Sequence, residues 1–570
     1  MSGEVTITLA VRSPEVLAHP IERSPLPLAC CDGAVYTHGP KGPMTVHADC
    51  PRKLSSFSLV KKCAIIGCLL GVLLLSGCAG TRPAPRALPV AAAPAAQAVT
   101  VVPQADWSEA VLYFAITDRW ADGDLSNDAN VNRSAKGAFH GGDLRGLREH
   151  LDEIAGLGAT AIWITPVVKN IDGFVTGAGF PDWAYHGYWA DDFTRLDPRF
   201  GNEAELKALV DECHRRGMKV LLDVVYNHAG YESHYLKDPK TKDWLRSEER
   251  GTCGQDDLTM CVAGLPDFKT ELPEVAEFLL QAQLGWAKRS GVDGFRLDTV
   301  KHVGHPFWQE HRRRTREELG QGFFLLGEVW GGDAQVLGPY FSTDELDAGF
   351  DFGFQGSVLG FVQGRGRAVA FDRYLKSREK VRPGHLLAQF LSSHDVPGAL
   401  YQLGGDTARF RLAAVLEFTS IGIPVIYYGE EVARPGGDWP ENRSDMPWGD
   451  RNILPGEGRA RDEALRADYK RLIAIRRAHP ALYRGVHEKL VAEGDLLVFA
   501  QHDPSSGETV VVALNRGETP LVARFPVPEG WGTGPVRDEW NGAAVPLTDG
   551  AVETTLGGKT AQVLVRETRR

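Results

Sequence analysis

The sequence is poor in the features that would place it in several large classes. It has no excess of positive charge: across 570 residues the formal net charge is -11. That sign argues against a partner such as nucleic acid, whose phosphate backbone calls for basic surfaces. It has no Cys-x-x-Cys pair, so nothing suggests a zinc site. It has no internal repeat, which sets aside a repeat architecture. It also lacks a good membrane span, because the apolar run 63–75 is too short and ends too abruptly.

That run has the setting of a signal peptide. Arg52, Lys53, Lys61 and Lys62 precede it. It closes on Leu75-Ser76-Gly77-Cys78, which resembles the bacterial lipoprotein box. The resemblance implies that Cys78 is lipidated and becomes the mature N-terminus. The plainer alternatives are an uncleaved anchor or an ordinary signal peptide. Ala79 follows Cys78, a neighbour that resembles outer-membrane rather than inner-membrane sorting. Residues 1–43 read like nothing foldable, so either Met1 or Met44 is the start. The first 77 residues are therefore an upstream extension and signal, and 78–106 a Pro/Ala-rich tether.

Of nine cysteines, Cys30, Cys31, Cys50, Cys63 and Cys68 lie before this cleavage point. An exported chain meets an oxidising compartment. Cys253 and Cys261, close together in a polar stretch, are expected to form a local disulfide. Cys213, on the apolar face of a helix, is expected to be a buried free thiol.

From Trp107 the texture becomes alternating strands and amphipathic helices. Strands are expected at 111–117, 160–164, 219–225, 294–297, 323–327, 348–352, 387–391 and 424–428. Asn202 caps a helix carrying Glu203 and Glu205 in its first turn, with Leu206, Leu209, Val210 and Cys213 on one face and Gly217 as the stop. Pro273 opens another helix, with Val275, Phe278, Leu279 and Ala282 on one side. Eight such units predict an α/β fold, a TIM (β/α)8 barrel over 107–482. The stretch 229–266 is too long for an ordinary loop and reads as a small inserted subdomain. From 483 to 570 short alternating runs predict a C-terminal all-β domain, a sandwich.

Three expected strands end in a carboxylate: Gly294-Phe295-Arg296-Leu297-Asp298, Leu325-Leu326-Gly327-Glu328 and Phe390-Leu391-Ser392-Ser393-His394-Asp395. A charge at the tip of a buried strand is costly unless paired or working. In a parallel barrel those tips converge on one face. Converging carboxylates, one acid and one nucleophile, are what glycosidic bond cleavage requires.

Together with Asp223-Val224-Val225-Tyr226-Asn227-His228, Thr299-Val300-Lys301-His302 and Val329-Trp330, these segments closely resemble the four ordered motifs of the α-amylase family. Tyr185-His186-Gly187-Tyr188-Trp189 and Leu265-Pro266-Asp267 add two more matches. The resemblance runs from about Trp107 to the C-terminus. It implies a retaining mechanism: Asp298 is the nucleophile, Glu328 the acid and then the base, and Asp395 holds sugar hydroxyls. Arg296, two residues before Asp298 and on the same strand face, keeps it ionised. His186, His228, His394, Trp330 and Arg443 contact sugar, Tyr185 stacks on it, and Lys301 and His302 lie on the acceptor side.

Calcium follows from the same resemblance, and hard oxygen ligands suit it. The stretch from Thr117 to Asp143 is similar to a calcium loop of cyclodextrin glucanotransferases. It implies Asp122, Asp124, Asn127, Asp128, the carbonyl of Gly141 and Asp143 as ligands. A second site similar to the common α-amylase calcium uses Asn227, Asp267 and the carbonyl of His302. Two departures bear on substrate preference: Phe268-Lys269 after Asp267, and Trp439 where relatives often place an Asp, which leaves Arg443 without its usual carboxylate.

The leading expectation is a calcium-dependent hydrolase of α-1,4-glucans in starch, glycogen or maltodextrins, a monomer held to a membrane by lipid. A cyclomaltodextrinase, neopullulanase-like or transglycosylating enzyme is the alternative within the same chemistry. It is favoured by residues 422–431 and opposed by the lack of an extra β domain before the barrel. A lipid-anchored glucan-binding protein without activity is the alternative of another class, and the presence of all three carboxylates opposes it.

Overall fold

The computed structural model describes residues 106–566 apart from Ala178. The chain divides into two units, Met1–Ala96 and Gln97–Arg570, and all the described residues fall in the second. The expected signal peptide, Cys78 and nearly all of the tether lie outside the described residues.

Eight parallel strands close on themselves: β1 (Leu112–Ala115), β2 (Ala161–Ile164), β3 (Lys219–Val224), β4 (Gly294–Leu297), β5 (Phe324–Gly327), β6 (Ala348–Asp351), β7 (Leu386–Phe390) and β8 (Ile423–Tyr427). Each pairs with its sequence neighbours, and β1 pairs with β8 to complete the ring. Strands buried on both faces read as continuous apolar runs, which is why they stand out in the sequence. The largest difference in extent is at β1, expected to reach 117. It stops at Ala115 because Thr117–Trp120 already turns as a helix.

The helices follow their local signals. In α1 (Glu203–Arg215) the side chain of Asn202 accepts from the backbone N–H groups of Ala204 and Glu205, and Glu205 reaches back to the N–H of Asn202. That reciprocal pair satisfies donors the first turn would otherwise leave open. Leu206, Leu209, Val210 and Cys213 face the core, and Gly217 leaves the helix at a φ of 71°. In α2 (Pro273–Ser290) the proline sits in the first turn, where its missing N–H costs nothing.

Two excursions rise from the C-terminal ends of the strands. The one after β3 matches the expected insertion at 229–266. Its neck is closed by Ala229 donating to the carbonyl of Pro266, and Leu245–Arg246 pairs with Asp267–Phe268. Cys253 and Cys261 are joined in a disulfide with Cα atoms 5.5 Å apart, and Cys213 is a buried free thiol whose pKa burial pushes up to about 12. The other excursion, after β2, has no counterpart in the sequence reading. Val168–Asn170 pairs with Ala190–Leu196, and Phe174–Val175 with Asp182–Trp183. Strands of two or three residues carry too little periodicity to be recognised.

Beyond the barrel, a six-stranded sheet and a three-stranded antiparallel sheet form the C-terminal domain. Val498, Val511 and Leu564 of the larger sheet pack with Phe525, Val552 and Leu556 of the smaller around a core of their own. Among the described residues no helix is long and apolar enough to cross a membrane.

Candidate active site

The centre of the barrel mouth is the guanidinium of Arg296. Alternation along β4 puts Arg296 and Phe295 on opposite faces, and the register sets Arg296 beside Asp223 of β3. Its Nη1 donates to Asp298 Oδ1 at 2.6 Å and to Asp223 Oδ1 at 3.1 Å, while Nη2 lies 2.9 Å from Glu328 Oε2. One cation thus holds a carboxylate within β3 and the two that follow β4 and β5. Thr299 ties the same pair from the other side: its N–H donates to Glu328 Oε2 at 2.9 Å and its hydroxyl to Asp298 Oδ2 at 3.0 Å. Thr299 does this at a φ of 48°, a strained conformation for a β-branched residue.

Asp223 had no role in the sequence reading, yet it is the pillar beneath Arg296. Its other oxygen accepts from Trp163 Nε1 at 3.0 Å and from the hydroxyl of Tyr188 at 2.7 Å. A carboxylate inside the run Lys219–Val224 was the signal that could have found it, since only a paired one is tolerated there.

The electrostatics divide the carboxylates into two kinds. Burial raises the pKa of Glu328 to about 8; Arg296 opposes this and the negative charges of Asp298 and Asp395 reinforce it. Asp395 goes the other way. Burial would raise it, but His394 and Arg443 together hold it below the usual carboxylate range. Arg443 donates through Nη2 to Asp395 Oδ1 at 3.0 Å and through Nε to the carbonyl of His394 at 2.8 Å. Asp395 is therefore the carboxylate partner that the sequence left open for Arg443.

The cleft above these groups has a volume of 430 Å³ and is lined by His186, His228, Trp330, Trp439 and Arg443 together with the catalytic carboxylates. Burial lowers the pKa of His186 and His228, and that of His394 to about 3, so all three imidazoles are neutral. Among the described residues His228 Nε2 and His394 Nδ1 have no hydrogen-bond partner, which leaves them for sugar hydroxyls. Trp330 is 52 % exposed beside Glu328. Lys301 and His302 point instead to the insertion, where Lys301 pairs with the carboxylate of Asp257 and His302 Nδ1 meets its carbonyl. Tyr185 is buried, with the Arg119 guanidinium 3.8 Å above its ring, so one of its faces is already covered.

Both expected calcium sets are brought together. In the loop 122–143, Asp122 Oδ1, Asn127 Oδ1 and Asp128 Oδ1 are buried and have no hydrogen-bond partner among the described residues. A Cβ on Gly141 would meet Asp128 Oδ1 at 2.6 Å, Arg133 Nη2 at 2.9 Å and Asp122 Oδ2 at 3.0 Å, so both carboxylates and the guanidinium come close to this glycine. Arg133 reaches Asp122 and Asp128 at 2.6 and 3.1 Å and supplies one positive charge. Burial and the neighbouring Asp128 nonetheless push Asp122 up to about 6. Asp143 caps a helix through Gly146, and Asp124 pairs with Arg145. No three His, Cys, Asp or Glu side chains gather by themselves as a metal set among the described residues. At the second place the amide oxygen of Asn227 lies 3.1 Å from Asp267 Oδ1 and 3.0 Å from the carbonyl oxygen of His302, three acceptors facing one another, and Arg246 pairs with Asp267 at 2.7 Å.

The alpha amylase catalytic domain model matches residues 114–470. A cyclomaltodextrinase of Bacillus sp. is 32 % identical over 435 residues, covering 72 % of this chain and 74 % of that protein. The periplasmic alpha-amylase of Escherichia coli (strain K12) is 30 % identical over 487 residues, 68 % of this chain and 69 % of that one. The crystal structure of alpha-amylase from Geobacillus thermoleovorans, complexed with acarbose, aligns with a TM-score of 0.68 at 33 % identity over 80 % of this chain and 98 % of that chain. The chain belongs to the alpha-amylase family and is an α-glucan hydrolase.

An acid with the pKa of Glu328 sets the alkaline limb of the rate. Activity should fall as pH rises through about 8, where Glu328 loses its proton. In Asp395→Asn one of the two negative neighbours is gone, so the limb of the residual kcat/KM should move about one unit lower. A limb that stays in place shows that another group governs it.

Proposed function

We propose that the chain is a retaining hydrolase of α-1,4-linked glucans, acting on starch, glycogen or maltodextrins. The observation that carries this reading is the single guanidinium of Arg296 shared by Asp298 and Glu328. Asp298, held by Arg296 and Thr299, attacks the anomeric carbon as Glu328 gives its proton to the departing glycosidic oxygen. A glycosyl ester of Asp298 forms and the chain beyond the cleaved bond leaves. Esterification removes the negative charge of Asp298, one of the influences that raise the pKa of Glu328, so Glu328, having given up its proton, stays ionised and can take the proton of the attacking water. Water adds to the anomeric carbon, Glu328 takes its proton, and Asp298 is released. Asp395, kept ionised by Arg443 and His394, accepts hydroxyl hydrogen bonds from the reacting sugar. Neutral His228 and His394 donate to it. The cyclomaltodextrinase likeness keeps a cyclic or short maltodextrin as the second reading, and the same site chemistry serves it.

Calcium belongs to this reading at the loop 122–143. Three buried oxygens without donors fit a hard cation there, and the residues that would hold it are Asp122, Asn127, Asp128, Asp143 and the carbonyl of Gly141, with Asp124 beside them. The ion would supply charge neutralisation and rigidity to the loop, away from the bond being cut. Export is part of the reading too. The disulfide Cys253–Cys261 supports an oxidising compartment, and the box ending in Cys78 supports a lipid anchor in a bacterial outer membrane.

Three outcomes test these statements. Two successive inversions return the starting configuration, so rapid NMR of fresh digests should show the α anomer first, and Asp298→Asn should lose about a thousandfold or more in kcat while remaining folded. A β anomer refutes the retaining course.

For calcium, metal analysis of the purified protein should find one ion per chain. Chelator should lower Tm, and Ca²⁺ should restore it better than Mg²⁺. A hundredfold excess over Kd corresponds to about 2.7 kcal/mol of stability. Two ions per chain would place the second at Asn227 and Asp267, and unchanged melting with no bound metal would remove both.

For the anchor, Cys78→Ser should abolish fatty-acid labelling and leave the protein unprocessed or released from membranes. Labelling that persists in this variant overturns the assignment.

A further inference from the structure

The loop after β8 holds a buried amide whose side-chain hydrogen bonds both serve another loop. Asn442 lies in the short helical turn Glu441–Arg443 and is 1 % exposed. Its Nδ2 donates to the carbonyl of His394 at 2.9 Å and to the carbonyl of Val396 at 3.1 Å. Those two carbonyls belong to the residues on either side of Asp395. Its Oδ1 is buried and has no hydrogen-bond partner among the described residues. A buried amide oxygen without a donor is costly. Turning the amide over would not relieve that cost, because Oδ1 would then face two carbonyl oxygens. The orientation of Asn442 is therefore set by what its nitrogen holds.

Asn442 is itself fixed to the barrel. Its carbonyl accepts from the hydroxyl of Tyr427, the last residue of β8, at 2.9 Å and from Arg434 Nη1 at 2.9 Å. Arg434 is buried over the rings of Tyr427 and Tyr428, its guanidinium carbon 4.6 and 4.2 Å from their centres, and its Nε donates to the carbonyl of Tyr428 at 2.9 Å. A side chain braced in this way passes the position of β8 to whatever it grips. What it grips is the turn that follows β7. Arg443, the next residue, shares the His394 carbonyl through Nε and takes the Asp395 carboxylate through Nη2. The two neighbours divide the work: Arg443 pairs with the charge of Asp395, and Asn442 fixes the peptide groups that flank it.

We propose that Asn442 is a positioning residue of the glycosidic reaction: by bridging the carbonyls of His394 and Val396 it aims Asp395 at the hydroxyls of the sugar under attack. This rests on the α-glucan reading above and adds to it the group that sets the third carboxylate. Asn442 does not line the cleft, so its effect must pass through the turn that carries Asp395. A small displacement of a group that binds the transition state costs rate more than affinity.

The test is a double-mutant cycle with 4-nitrophenyl α-maltotrioside as substrate, in which kcat and KM are compared for wild type, Asn442→Ala, Asp395→Asn and the double variant. In Asn442→Ala kcat should fall about thirtyfold while KM changes less than about threefold. In the Asp395→Asn background the aimed carboxylate is already gone, so the same substitution should lower kcat less than about threefold. The cycle is repeated with Asn442→Asp, which fills the same space and cannot bridge two carbonyls; the same coupling is expected, and it tests the inference even if the alanine variant fails to fold. Equal fold losses in both backgrounds would make Asn442 a structural residue and overturn the inference, as would wild-type kcat in either variant. An active wild type with uncoupled losses overturns this inference alone. A wild type inert on this substrate and on soluble starch would overturn the glucan reading itself, and this inference with it.

Discussion

Burying several carboxylates around one cation is the constraint on which the rest of the site depends. Arg296 is fully enclosed at the mouth of the barrel and meets Asp223, Asp298 and Glu328. Three carboxylates against one guanidinium leave an excess of negative charge in a region with little water, and such an excess is relieved by taking up a proton. Glu328, which also faces Asp395, is the group pushed furthest toward keeping one. The acid of the reaction is thus a consequence first of burial and then of the negative charges of Asp298 and Asp395, with Arg296 pulling the other way. Asp223 is needed for the same reason as Arg296 itself: pinned by Trp163 and Tyr188, it fixes where the guanidinium lies.

The scaffold converts this charge cluster into a cleft by growing loops on one face only. The barrel strands are short, four to six residues, and Asp298, Glu328 and Asp395 all follow their C-terminal ends, on one face of the ring. The excursions after β2 and β3 and the loop after β8 then raise walls around it. The wall residues are neutral imidazoles, indoles and a few fixed ion pairs. That composition favours a neutral polyhydroxylated chain, which needs many hydrogen bonds and flat apolar faces and no strong net field. The insertion after β3 is held to the barrel by Arg246 with Asp267 and by Lys301 with Asp257, so the wall that carries the disulfide is also the one tied to β4.

Much of this was legible along the chain. The eight strands, the capping box at Asn202, the proline opening α2 and the carboxylates closing β4, β5 and β7 are local signals, set within a few residues of one another. The relation of Arg296 to Asp298 is local as well, because residues two apart on a strand share a face. The small strands after β2 were not legible, being too short to show a period. Tyr185 was expected to offer a face to sugar, but Arg119 comes from far away in sequence to cover one side of it.

By itself the sequence determined the order of elements, the faces they bury and the residue types waiting at the strand ends, since hydrophobic period and end signals act over one or two turns of chain. Only the tertiary structure decided which of those residues meet. Asp223 reaches Arg296 across 73 residues, and Asp395 receives Arg443 across 48, through strand register and the path of a loop. The same closure left Asp122, Asn127 and Asp128 with oxygens unmatched. A hydrogen-bond deficit is a property of a whole enclosure, of every atom that does or does not arrive, and no stretch of sequence carries it alone.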